Sequence, residues 1–370
     1  MVRSRFDHVT FGTYVEAAFY TPTHPLRPGG ALRPPRYPGR QMASTPDTVR
    51  TVPTADVQAR APTLLVGLSR VGVTGVEKVI RIGSELFFAR LDCFVDLGPQ
   101  QKGAHMSRFE EVVNEAIGRV VLGDYAFRAE TLAQHIAEDV RERQGARRAE
   151  VTIAARYPEH KPAPVSGVLT QELFTLLGRA VASERGTRRM VGVVATGMTA
   201  CPCAQELVFA GARARLQDDG FNAEQIDLIL EDVPVATHNQ RGVGTLHIGC
   251  TEDCTHAVDG RRLLAIAEGA MSSETYELMK RSDEVAVVEK AHRRPRFVED
   301  CVREMIAGVL EEFPDLGDDS FVSAHQENLE TIHQHNVVAE RHGLLGELRG
   351  EIASGVLPAR HTTMREWLDA

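Results

Sequence analysis

The chain has 370 residues, 43% of them apolar, and a formal net charge of −9. It has no run of 18 apolar residues, so no membrane span is expected. No charged segment leads into an apolar one as in a secretory signal, and the acidic balance argues against general nucleic-acid binding while leaving room for a local basic pocket.

Six cysteines in a chain this long suggest cytoplasmic thiols used as ligands or catalysts rather than a disulfide framework. Charge is unevenly spread. Residues 1–60 hold eight Arg, no Lys, four acids and eight of the 18 prolines. Residues 1–55 therefore read as a disordered Pro/Arg-rich extension.

Folding is expected to begin near Asp56. Thr63–Gly72 and Val76–Ile82 read as strands, Gly83-Ser84 as a two-residue hairpin turn, and Glu85–Leu97 as the next strand, with Leu86, Phe88, Phe94 and Val95 as its apolar positions. Ser107 with Glu110 has the spacing of a capping box. Behind it Phe109, Val112, Val113, Ala116, Ile117 and Val120 share one helical face. A second helix spans Ala129–Arg143 and stops at Gly145. Glu150–Arg156 alternates as a half-buried strand, Leu169–Ser183 reads as helix, and Met190–Ala195 reads as a buried strand.

Ala204–Leu216 has helical composition, and Asn222–Glu231 is a short helix capped by Asn222 with Gln225. Val233–His238 and Val243–Cys250 read as strands. Asp259 caps a helix to Met271, and Phe297–Phe313 is strongly amphipathic. Phe321–Glu327 alternates, and Asn336–Ile352 is the last helix. Strands and helices are grouped, which indicates α+β with mostly antiparallel sheets. Strand pairs flanking helix pairs occur about twice, as in two related halves.

Chemistry concentrates at turns. In A-T-G-M-T-A-C-P-C-A-Q (195–205), Cys201 and Cys203 sit between a strand and a helix N-terminus, a place that favours thiolate. Further clusters are Thr237-His238-Asn239-Gln240-Arg241, Arg281-Ser282-Asp283-Glu284, Phe297-Val298-Glu299-Asp300 and Glu330 to Asn336 with His333 and His335. Thiolate, imidazole and carboxylate at such places suit a mononuclear transition metal. Each also has a plainer reading. Cys93, Cys203 and Cys301 fit small buried hydrophobes, Cys250 and Cys254 of C-T-E-D-C fit a surface loop, His135 and His342 fit surface groups, and Glu284 and Glu299 fit solvated helix-end charges.

Six segments in order resemble the type IB GTP cyclohydrolases: Q-K-G-A-H-M-S-R (101–108), T-G-M-T-A-C-P-C-A-Q (196–205), A-T-H-N-Q-R-G (236–242), Y-E-L-M-K-R-S-D-E (276–284), R-F-V-E-D (296–300) and E-T-I-H-Q-H (330–335). The length between Cys201 and His238 is similar to the archaeal-type branch. The resemblance implies a tunnelling fold, with modules at 56–190 and 191–355 and a tail at 356–370. It also implies antiparallel sheets that form a barrel on oligomerisation, and homotetramers with sites at subunit interfaces.

By the same resemblance Cys201, His238, Glu284 and His333 would hold Fe(II), Mn(II) or Zn(II), and Glu299 would grip the guanine N–H groups of GTP. The implied reaction opens the guanine imidazole ring, releases formate and closes a pterin ring. The product is 7,8-dihydroneopterin triphosphate or, as in the archaeal branch, 7,8-dihydroneopterin 2′,3′-cyclic phosphate. His335 and His105 are proton-shuttle candidates, and Arg241 and Lys102 are phosphate-binding candidates. Asn336-Val337-Val338 departs from the family's usual Asp and aromatic after the second histidine. Two other readings stay open: a tunnelling-fold nitrile reductase with Cys201 or Cys203 as nucleophile, and a non-catalytic protein with a closed metal site.

Overall fold

Alternation along the chain builds a single sheet from β1 (Leu68–Ile82), β2 (Glu85–Leu97), β3 (Ala149–Pro162), β4 (Leu169–Ser183), β5 (Gly186–Ala200), β6 (Asn239–Cys250), β7 (Ser273–Glu274), β8 (Phe321–Leu329) and β9 (Val337–Leu344). The structure, a computed structural model, describes residues 56–82, 85–121, 128–251 and 258–370. The extension 1–55, the Gly83-Ser84 turn and Cys254 lie outside the described residues, as do the side chains of Leu86 and Val120. Strand order is β1-β2-β3-β4-β5-β6-β8-β9, with β7 paired to β5. Every pairing is antiparallel.

Helices enter between strands. They are α1 (Met106–Val121), α2 (Ala129–Gln144), α3 (Pro202–Asp218), α4 (Ala223–Asp232), α5 (Gly260–Gly269), α6 (Arg281–Arg293), α7 (Val298–Glu312), α8 (Leu345–Ser354) and α9 (Met364–Leu368). A strand pair, a helix pair and a strand pair thus occur twice, first with α1 and α2 and then with α5 and α7. The fold is α+β around a large antiparallel sheet. Among the described residues no helix is long and apolar enough to cross a membrane.

The helix pairs cover one face of the sheet. Phe109, Val112, Leu132 and Ile136 from α1 and α2 pack against Leu91, Val151 and Ile153. Leu263, Met305 and Val309 from α5 and α7 pack against Val193, Leu246 and Val322. Each large side chain so buried contributes roughly 1.5–3 kcal/mol. On the opposite face Trp367 of α9 packs with Met190 and Phe321. It has room because residue 249 is glycine, where a Cβ would lie 2.6 Å from the Trp367 ring. The indole N–H donates to the Asp319 carbonyl at 3.0 Å, and Arg148 Nε donates to Asp369 at 2.7 Å. The C-terminal helix therefore straps the β3 side of the sheet to β8.

Several expectations change. Leu169–Ser183 is strand β4, not helix. Its Leu- and Ala-rich composition favours helix, but it pairs with β3 on one side and β5 on the other, and tertiary pairing overrides intrinsic propensity. Val337–Leu344, expected as the front of a helix, is edge strand β9, and only Leu345–Ser354 is helical. Val233–His238 is irregular rather than a strand, because Pro234 has no N–H to give a ladder. The two strands expected before residue 83 are one bulged strand, β1. The first helix starts at Met106, so Ser107 lies inside it rather than capping it. Asn222–Gln225 and Asp259 do cap as expected.

Two outcomes test this packing. A Cβ at Gly178 on β4 would lie 2.2 Å from the Ala129 backbone carbon of α2, so Gly178→Val should cost about 3 kcal/mol, read from thermal or urea unfolding. Trp367→Ala should cost about 3 kcal/mol or more by emptying its site, read in the same way.

Candidate active site

β5 and β6 end together. Ala200 pairs with Asn239, the Cys201 N–H donates to the His238 carbonyl at 3.1 Å, and the Thr237 hydroxyl donates to the Cys201 carbonyl at 2.9 Å. Cys201 is the extended N-cap of α3, and Pro202 opens the helix, where a missing N–H costs nothing. Gln205, one turn on, donates to the carbonyls of Val235 at 2.7 Å and His292 at 2.6 Å. It ties the start of α3 to the loop before His238 and to the end of α6.

β8 brings the third strand end. Leu329 pairs with Arg241, and the Thr331 hydroxyl donates to the Asn239 carbonyl at 3.0 Å. This sets Glu330 Oε2 3.8 Å from His238 Nδ1. Both atoms are buried and have no hydrogen-bond partner. The His333 ring meets His238 edge-on at 6.2 Å between centroids, and His335 stacks on His333 at 5.3 Å. Cys201, His238, Glu330, His333 and His335 are therefore gathered at three neighbouring strand ends.

Glu330 was only part of a cluster in the sequence. Its spacing from His333 carried no distinctive signal, and its importance shows only once β8 is registered against β6. Among the described residues no three His, Cys, Asp or Glu side chains stand close enough to hold a metal ion as arranged. The donors themselves, a thiol, two imidazoles and a buried carboxylate with unsatisfied atoms facing each other, suit a divalent transition metal.

The other expected residues lie elsewhere. Glu284 is exposed in the first turn of α6. Its neighbour Asp283 is buried, and its carboxylate accepts from the Val165 and Ser166 N–H groups and the Ser166 hydroxyl at 2.7–2.8 Å. Burial pushes the Asp283 pKa up, but these bonds and one from the Lys280 N–H hold it well below the usual carboxylate range. Lys102 and His105 share the loop ahead of α1. That loop follows β2, whose Val95 lines up through Ala149 and Ala182 with Thr187 at the start of β5, the end remote from Cys201. His105 Nε2 is 3.3 Å from Asp56.

Glu299, exposed in the first turn of α7, lines a cavity of about 300 Å³ with Arg303, Arg341 and Glu351 against edge strand β9. Arg241 lines a cavity of about 490 Å³ where β4 parts from β5, together with Arg156, Lys161, Arg261 and Tyr276. There Lys161 bonds Glu268 at 2.9 Å. Burial raises the Glu268 and Glu172 carboxyls, and burial followed by the nearby Glu274 pushes Tyr276 up to about 12.

Comparison with known proteins adds to this geometry. The profile of the family described as type I GTP cyclohydrolase folE2 matches residues 54–339. GTP cyclohydrolase MptA of Methanococcus maripaludis (strain C5) is 40% identical over 308 residues, 80% of this chain and 97% of that protein. GTP cyclohydrolase MptA of Methanosarcina mazei is 40% identical over 312 residues, again 80% and 97%. Among solved structures, uricase from Arthrobacter globiformis aligns with 76% of this chain and 95% of its own at 9% identity and a TM-score of 0.42. A likeness that slight says nothing of function.

The Thr237–Cys201 bond generates a direct check. Thr237→Val should cost about 1 kcal/mol and speed alkylation of Cys201, followed by peptide mass mapping that separates it from exposed Cys203.

Proposed function

The chain belongs to the type I GTP cyclohydrolase folE2 family, and from that membership we propose that it opens the guanine imidazole ring of GTP, releases formate and diphosphate, and closes a 7,8-dihydroneopterin 2′,3′-cyclic phosphate. Membership makes it a GTP cyclohydrolase acting on GTP, and sets aside the nitrile reductase and the non-catalytic metal protein. The observation that carries the finer reading is the meeting of Cys201, His238, Glu330 and His333 at the ends of β5, β6 and β8. The cyclic phosphate is supported by the likeness to the archaeal branch, whose long Cys201–His238 interval here holds α3 and α4.

Cys201, His238 and His333, with Glu284 or the better-placed Glu330, would hold Fe(II), Mn(II) or Zn(II). Such an ion supplies Lewis acidity for hydrolysis at C8 of the base. Glu299 would accept hydrogen bonds from the guanine N1–H and 2-amino group, which adenine cannot match. Arg241, with Arg156 and Lys161 in one cavity, would hold phosphate oxygens. His335 beside His333 is positioned to move protons there, whereas His105 and Lys102 lie at the remote end of the strands. The cavity that Glu299 lines contains none of Cys201, His238 or His333. Sites shared between subunits of a homotetramer, with the sheets closing into a tunnelling-fold barrel, would bring the two parts together.

The test is an anaerobic assay of Fe(II)- or Mn(II)-loaded protein with GTP, with products identified by mass. The cyclic phosphate is expected, and the triphosphate would overturn that choice while keeping the ring opening. Glu299→Gln should retain metal and lose at least about 100-fold in kcat/KM. Full turnover in that variant would remove Glu299 from the role of guanine anchor.

A further inference from the structure

β4 and β5 share a ladder only from Thr175↔Val194 to Ser183↔Gly186. Ahead of it, residues 169–174 of β4 pair with β3 alone, and β5 takes β7 at Gly197 and Met198 instead. The sheet is open between the two strands there, and the cavity of about 490 Å³ that Arg241 lines lies in this opening. It reaches both faces. Arg156 follows the buried Ala155, and Arg241 alternates with the buried Gln240 and Gly242, so both lie on the face opposite the helix pairs. Glu172 lies directly across from Glu159, and Lys161 is two residues beyond Glu159. These three share the helix-covered face with Phe174 of the core.

Internal pairing leaves particular charges free. Arg261 pairs with Glu159 at 2.9 Å. Lys161 donates to Glu268 at 2.9 Å and lies 4.4 Å from the centre of the Tyr276 ring, which holds the ammonium in place. Among the described residues, Arg156 and Arg241 have no ion-pair partner, and no cation pairs with Glu172. The Glu172 carboxylate accepts only from the Thr170 hydroxyl at 3.4 Å and the Glu277 N–H. Burial is the largest influence on this carboxyl and raises its pKa, as suits a base working near neutral pH. Two free guanidinium groups thus stand at one mouth, with a fixed ammonium and a free carboxylate at the other.

Closing a 2′,3′-cyclic phosphate needs such groups. The 2′ oxygen bonds to the phosphorus carried on the neighbouring 3′ oxygen, and the bond from that phosphorus to the bridging oxygen breaks to release diphosphate. The hydroxyl proton passes to a base and from there to the diphosphate. Cations steady the charge that builds on the leaving group. We propose that the opening between β4 and β5 is where the triphosphate is cyclised, with Glu172 as the base for the 2′ hydroxyl and Arg156, Lys161 and Arg241 around the phosphates. This rests on the cyclic phosphate product proposed above and assigns the catalytic group for that step. Ring opening stays at the strand ends, and Arg241, close after His238 in the chain, links the two places.

The ratio of cyclic phosphate to formate tests this, measured on metal-loaded full-length protein with GTP. Unmodified protein should release the two in equal amounts. Glu172→Gln should lower the ratio about 100-fold, the size of a lost general base, with the triphosphate accumulating in its place, and Glu172→Asp should restore part of it. An unchanged ratio in Glu172→Gln overturns the proposal and leaves the product assignment standing. A folded Glu172→Gln protein that releases no formate also overturns it, by placing Glu172 in ring opening. Triphosphate from the unmodified protein overturns both the product assignment and the proposal. Should Glu172→Gln fail to fold, Arg156→Met at an exposed position decides instead: the ratio should again fall, and an unchanged ratio overturns the proposal.

Discussion

Twelve consecutive pairings between β5 and β6, from Arg189↔Cys250 to Ala200↔Asn239, set everything that follows. They are the middle of a sheet whose strand order repeats chain order, so the two halves share one continuous ladder. A slip of one residue would turn every side chain of β6 to the other face. It would bury Arg241 and expose Leu246, and it would separate His238 from Cys201. Register is therefore fixed by the core on one side, and the strand-end chemistry inherits its position from that core.

Much of the strand-end cluster could be read in advance because turns and caps leave local marks. Cys201 before Pro202, and His238 and His333 in their short clusters, were all visible as motif residues. What a motif cannot show is which strand ends become neighbours. Glu330 acquired its place only when β8 was laid beside β6. Conversely, Lys102 and His105 share a recognisable motif with no counterpart at the β5–β6–β8 ends, because β2 runs the other way. The misread elements have a common cause. β4 and β9 carry residues that suit either state, and pairing with neighbouring strands, which a linear reading does not contain, decided them.

The site region combines rigid support with unsatisfied chemistry. Backbone bonds, Thr237, Gln205 and Thr331 fix the strand ends, while His238 and Glu330 keep facing polar atoms without partners. Leaving buried polar atoms unpaired is costly, so the arrangement is poised for a further charge. The Glu299 and Arg241 cavities lie apart from that point. The molecule thus keeps the Glu299 cavity, the Arg241 cavity and the strand-end cluster apart.

The Trp367 strap has a consequence for folding. Its residues, 364–369, clip Arg148 just ahead of β3 and Arg179 of β4 to Phe321 of β8. Contacts of such long sequence separation form late, so the back of the sheet closes only once the early and late strands have come together. A chain cut short by a few residues would leave Met190 and Phe321 uncovered. Such an exposed apolar patch would be a site of unwanted association.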